Sequence, residues 1–251
     1  MSGHSKWATI KRAKAVTDAK RGKAFTQIAK EITIAARMGG GDPNGNPRLR
    51  LAIGKAKSAN MPSDNIKRAV QKGTGELPGV IYEDVTYEGY GPGGVALIIE
   101  SVTDNKNRTV AEMRHLFDRN NGKMGASNSV AYQFHRKGII HVAKAAFGED
   151  ELLSIILEAG ADDMKTDDDM YEIVTTQESF EPVRSTLEKK GIKMEDAEVQ
   201  LIPENTVAVD AKDAEAILKF IEVLEDHDDV QHVYANFDID DKVMASLNAA
   251  G

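Results

Sequence analysis

The chain has 251 residues, 41% of them hydrophobic and 29% charged, which suits two or three globular domains with a sizeable core. It has no cysteine, which excludes a disulfide framework, a thiol nucleophile and a Cys-based zinc site and fits a reducing, cytoplasmic setting. The formal net charge is −8, but residues 1–75 hold 16 Lys and Arg against 4 Asp and Glu (+12), whereas residues 76–251 hold 16 against 36 (−20).

That segregation points to one part that meets a polyanion and a larger part that stays solvated and is repelled by it. A solvated basic face without a partner is the plainer alternative. No run approaches the roughly 18 apolar residues of a bilayer span. The basic start is not followed by the apolar stretch of a secretory signal, and it is read as mature protein.

In chain order, residues 1–20 are a basic arm with little helical pattern. Phe25, Ile28, Ala29, Ile32, Ala35 and Ala36 then recur at helical spacing and predict a helix over 20–38. Gly39, Gly40 and Gly41 stop it, and Asp42-Pro43-Asn44-Gly45 turns the chain. Asn46-Pro47 reads as N-cap and first position of a second helix. A third follows Met61-Pro62-Ser63 and is expected to end at Gly73.

After residue 76 strands and helices alternate. Val95–Val102 is a buried-strand run, 107–120 a helix, 121–129 a loop and 130–134 a strand. Then GIIHV (138–142) is a strand, 149–159 a helix, 162–166 with 171–176 a hairpin, 180–190 a helix and 197–202 a strand. That order, βαββαβ, is the ferredoxin-like plan. The tail reads as a strand at 206–209, a helix at 211–224 and a strand at 230–237. With the elements before 136 it is expected to complete a second such set. The expected class is α+β: a basic helical domain (1–76), an α/β domain (77–136 plus 204–240), and a second α/β domain (137–203) inserted in it.

GYGPGG (89–94) matches G-x-G-x-x-G literally, but it precedes a strand and contains Pro92, so it reads as a turn between strands. Gly54-Lys55 is followed by Ala56 inside a helix, not by the Ser or Thr of a phosphate-binding loop. His227 and His232 have the wrong spacing for two ligands on one helical face. His141, in a strand, reads as a packed residue. The acidic run DDMKTDDD has Glu172 where a calcium loop needs glycine and reads as a solvated hairpin. No enzyme, metal site or cofactor is expected.

The basic segment is more informative. Lys6, Lys11, Arg12, Lys14, Lys20, Arg21 and Lys23 lie in the arm and first helix, Arg48, Arg50, Lys55 and Lys57 on the second helix, and Lys67, Arg68 and Lys72 on the third. Such side chains neutralise phosphates and release counterions, giving affinity with little sequence information. Trp7, with His4 nearby, either stacks on an unpaired base or pins the arm to the helices. The glycine loop at 39–45 either admits a phosphate chain close to its amides or is a connector.

Three segments, MSGHSKWATIKRAKAVTDAKRGKAF, KAKSANMPSDNIKRAVQKGTGE and YEGYGPGGVALIIE, resemble the YebC family, which includes bacterial transcriptional regulators and a mitochondrial translational activator. NGKMGASNSVAYQF resembles the family's Gly-rich loop, with Asn128 where many members have glycine. The resemblance implies a helical first domain and two ferredoxin-like ones around a cleft, and a cytoplasmic nucleic-acid-associated regulator. The resemblance implies action either on promoter DNA or at the ribosome, helping synthesis through stretches such as consecutive prolines. The charge split favours RNA, because an acidic body is repelled by a long duplex lying across it. A scaffold whose acidic domains bind basic proteins is the alternative from another class.

Overall fold

The computed structural model describes residues 18–167, 169–240 and 243, with side chains from residue 22 onward. Three helices come first: α1 (Asp18–Gly39), α2 (Pro47–Ser58) and α3 (Ser63–Thr74). Next come β1 (Glu83–Tyr90), β2 (Ala96–Thr103), α4 (Lys106–Arg119) and β3 (Lys123–Met124). The following six elements are β4 (Phe134–Ala143), α5 (Glu149–Glu158), β5 (Asp163–Thr166), β6 (Met170–Thr176), α6 (Gln177–Lys189) and β7 (Asp196–Pro203). The last four are β8 (Val207–Ala208), α7 (Ala211–Glu225), β9 (Val230–Ala235) and β10 (Phe237–Asp238). Two compact units result, one comprising the chain through Ala131 and from Thr206, the other Tyr132–Asn205. No helix among the described residues is long and apolar enough to cross a membrane.

The helical part of the first unit is built on small side chains. Ile32, Ala35 and Ala36 of α1 pack with Leu49, Ala52 and Ala56 of α2 and with Ala69 of α3. Asn46 serves two helices at once. Its Oδ1 accepts from Leu49 N–H at 3.1 Å, capping α2, and its Nδ2 donates to the carbonyls of Ala35, in the last turn of α1, and Gly40, just past it. The third helix runs one residue past the expected Gly73 and is stopped by Gly75, whose φ of 83° places it in the left-handed region.

Gly73 instead sits inside α3 as a contact point. A Cβ there would lie 2.7 Å from the Ala36 Cβ and against the Thr33 carbonyl. Alanine gains ~1 kcal/mol of helix propensity over glycine, but forcing two backbones apart costs ~3 kcal/mol. Gly73→Ala is therefore expected to lose ~2 kcal/mol net, lowering the first melting midpoint by about 5 °C in calorimetry. A gain in stability would show that α1 and α3 do not pack this closely.

The sheet of the first unit has the order β3-β1-β2-β9, with antiparallel neighbours throughout. The second ferredoxin-like set was expected to take its third strand from the tail. It takes β1 instead, because β1 folds back on β2 through the Gly91–Gly94 turn and is held there by eight residues of register. The tail's β8 is two residues long and pairs in parallel with β10 in a separate ribbon. Helices α4 and α7 cover one face, with Phe117 and Phe220 meeting edge to face at 5.0 Å.

The second unit follows βαββαβ, with sheet order β5-β6-β4-β7 and antiparallel neighbours. Ile140, Val142, Leu152, Ile156, Ile173, Phe180, Val183 and Leu187 are buried in it. Two boundaries depart from the sequence reading. Residues expected to open a strand at 130 form a short 3-10 turn at Ala131–Gln133, and the strand starts at Phe134. Helix α6 starts three residues early, because the Thr176 hydroxyl accepts from Ser179 N–H and caps it. One cross-strand row, Lys165, Glu172, His141 and Asp196, spans all four strands. Burial raises the Glu172 pKa, but the His141 and Lys165 contacts outweigh it and leave it lowered.

Candidate nucleic-acid interface

Of the predicted site residues, His4, Lys6, Trp7, Lys11, Arg12 and Lys14 lie outside the described residues. Lys20 and Arg21 belong to the first turns of α1, with side chains also outside the description. The rest separate into cations that face water and cations engaged by the protein itself.

Lys23 is engaged. Its Nζ donates to the Glu225 carbonyl at 2.8 Å, at the C-terminus of α7, and lies 3.8 Å from the Asp226 carboxylate. A cation there meets the negative end of the helix dipole. One turn on, Gln27 Nε2 donates to the Val230 carbonyl at 2.6 Å. Lys30, three residues further, is buried and reaches Asp229 Oδ1 at 2.8 Å and the Asp228 carbonyl at 3.0 Å. Positions 23, 27 and 30 therefore form a polar stripe on α1, apart from its apolar stripe, that docks on the α7–β9 turn. Sequence reasoning missed Lys30, and the i, i+4, i+7 spacing was the available signal.

Asp229 is the centre of that dock. Its Oδ2 accepts from Arg108 Nη2 at 2.8 Å and from the Thr109 hydroxyl at 2.9 Å. Burial pushes its pKa up, but the hydrogen bonds from Lys30, Arg108 and Thr109 outweigh burial and bring it down to about 2. The bond to Asp229 is also the main cause that raises the Arg108 pKa.

Glu112, His227 and Asp229 present donor atoms within 4.8 Å of one another. His227 Nδ1 accepts from Asp229 N–H at 3.1 Å, which places the ring proton on Nε2, 2.9 Å from Glu112 Oε2. With Lys30 and Arg108 each 2.8 Å from an Asp229 oxygen, both oxygens of Asp229 are engaged in an ion-pair network.

Arg48 is engaged as well. It forms a fork with both oxygens of Glu31 at 2.7 and 3.0 Å and another with both oxygens of Asp84 at 3.0 Å. Desolvation opposes its charge, but these bonds overcome it and raise its pKa. Arg50 Nη1 donates to the Pro43 carbonyl at 3.2 Å and closes the 42–45 turn. Lys55, Lys57, Lys67, Arg68 and Lys72 are exposed on α2 and α3; Lys55 has a partner within the protein, and the ammonium or guanidinium of the other four can meet a phosphate chain.

The turn at 91–94 lies between strands as expected, with Gly93 and Gly94 at φ of 70° and 73°. Asn128 has φ of 65°, which accounts for glycine at this point of a similar loop.

Residues 5–76 match the family model described as TACO1/YebC protein N-terminal domain, and residues 82–237 the one described as TACO1/YebC second and third domain. A protein of Chlorobium phaeobacteroides and one of Dictyoglomus turgidum, each named a probable transcriptional regulatory protein, are 57% identical to the chain over 249 residues, covering 99% of it and 100% of each relative. The crystal structure of a conserved hypothetical protein from Aquifex aeolicus is similar with a TM-score of 0.81 at 46% identity, over 89% of this chain and 93% of that one.

Proposed function

We propose, for a chain that belongs to the TACO1/YebC family through its amino-terminal and its second and third domains, a non-enzymatic role in regulating gene expression by binding nucleic acid. The observation that carries the reading is the division of charge, +12 over residues 1–75 and −20 over the rest. The arm and the exposed cations of α2 and α3 grip phosphate. The domains at 77–136 with 204–240 and at 137–203 position that grip and receive basic protein partners.

The favoured target is RNA at the ribosome in the cytoplasm, where the protein assists translation through difficult stretches such as consecutive prolines. Ribosomal RNA offers a shaped polyanion that a basic arm enters while acidic domains face outward. A DNA-binding role in transcription is the second reading, favoured by the relatives' names. Ribosome profiling of a strain lacking the protein, paired with transcript levels, separates them. Pausing at consecutive prolines with unchanged transcripts is expected. Altered transcripts at genes without pauses would give the transcriptional reading.

A further inference from the structure

Residues 119–148 contain no Asp or Glu, in a body that otherwise carries 36 of them from residue 76 on. The first part of this window, through Ala131, is the end of α4, β3 and the loop behind it, with Arg119 and Lys123 exposed. The loop is held in one shape by Glu88, on the neighbouring strand. Its carboxylate accepts from Asn128 N–H at 2.7 Å, Val130 N–H at 2.8 Å and Ala131 N–H at 2.9 Å. Its carbonyl accepts from Gly125 N–H at 2.8 Å. Glu88 is only 6% exposed, so the acid that organises the loop is withdrawn from the surface and its charge spread over three amides. Ala126, Ser127 and Asn128 remain exposed at the tip.

Beside this loop stands Tyr90, 37% exposed. Its hydroxyl donates to the Ser129 carbonyl at 3.4 Å. Tyr90 and Lys123 are direct partners across the β1–β3 pair, so their side chains leave the same face of the sheet. An oriented aromatic ring beside a cation, next to polar small residues and without a surface carboxylate in the loop, is the arrangement that stacks an unpaired base and meets its phosphate.

We infer that Tyr90, Lys123 and the 125–129 loop form a second nucleic-acid contact, on the acidic body, for an unpaired segment of RNA. This rests on the nucleic-acid reading above and adds a site outside the basic head. The test is fluorescence anisotropy of the full chain with a labelled oligouridylate and the matching oligothymidylate. Tyr90→Leu is expected to weaken oligouridylate binding about tenfold and Lys123→Glu several-fold, whereas Tyr90→Phe keeps the ring and stays within about twofold of wild type. All three substitutions are at exposed or half-exposed positions, and unchanged melting curves confirm their fold.

A loss on oligouridylate supports the site whether or not oligothymidylate shares it. A loss confined to oligothymidylate overturns the assignment to RNA. Unchanged binding of Tyr90→Leu and Lys123→Glu, with a loss on Arg68→Glu, overturns this inference and leaves the reading of the head standing. A wild-type chain that binds neither probe nor cellular RNA overturns both.

Discussion

Reversal of Arg12, Lys20 and Arg21 to glutamate is expected to flatten the dependence of nucleic-acid affinity on salt. Each phosphate contact contributes ~0.7 to the log–log slope for a single strand and ~0.9 for a duplex. Losing three such contacts removes ~2 to 3 from the slope and lowers affinity by orders of magnitude at low salt, less so at high salt. The measurement is a titration at several salt concentrations. The structure supplies the control. Lys23 carries the same charge two residues after Arg21, but it is held by Glu225 and Asp226. Lys23→Ala should therefore reduce stability and leave the slope nearly as it was. If Lys23→Ala changes the slope as much as the reversals do, its contacts with Glu225 and Asp226 do not keep it from phosphate. If the triple reversal changes nothing, the head is not the phosphate-binding part.

The second large effect is at Asp229. Asp229→Asn leaves Lys30 buried with its counter-charge gone, and breaking a buried pair from one side costs ~3–5 kcal/mol. Adding Lys30→Met removes the stranded ammonium and is expected to recover part of the loss, which a double-mutant cycle in urea quantifies. Equal stability of Asp229→Asn and wild type would show that the pair is not buried as described. The same residue predicts an acid limb. Its folded pKa is lowered to about 2, against an ordinary value of ~3.9. A depressed carboxylate contributes stability above its unfolded value and loses it as pH falls through its folded one. About 2 kcal/mol is thus constant at neutral pH and disappears between pH ~4 and ~2. In Asp229→Asn that portion of the acid limb is absent.

What could be read without coordinates, and what could not, follows from the range of the forces involved. Helix starts and stops depend on a few adjacent residues, so Asn46 as cap and the 39–45 turn were legible. The βαββαβ order of the second unit was legible for the same reason, since its elements are consecutive. The first unit's sheet was not, because nothing local distinguishes β1 from β8 as the third strand. The choice is made by an eight-residue register against two.

Charge behaves likewise. The sequence counts the cations of the head but does not say which of them face water. Lys30 reaches Asp229 across 199 positions of chain, and Arg48 reaches Asp84 across 36. Glu88 reads as an ordinary strand carboxylate, yet it organises a loop 40 residues away. These are long-range pairings of residues common on any surface: the 23, 27, 30 spacing marks a polar stripe on α1, but nothing local names Asp229, Asp84 or the 125–131 amides as the partners.

Crosslinking the protein to nucleic acid in living cells, then mapping the modified peptides, tests the central claim most directly. The account predicts crosslinks concentrated in residues 1–75, on the arm and on the outward cations of α2 and α3, with a smaller group at 119–129. Crosslinks confined to the acidic surfaces of α5, α6 and α7, with the basic head unmodified, would contradict it.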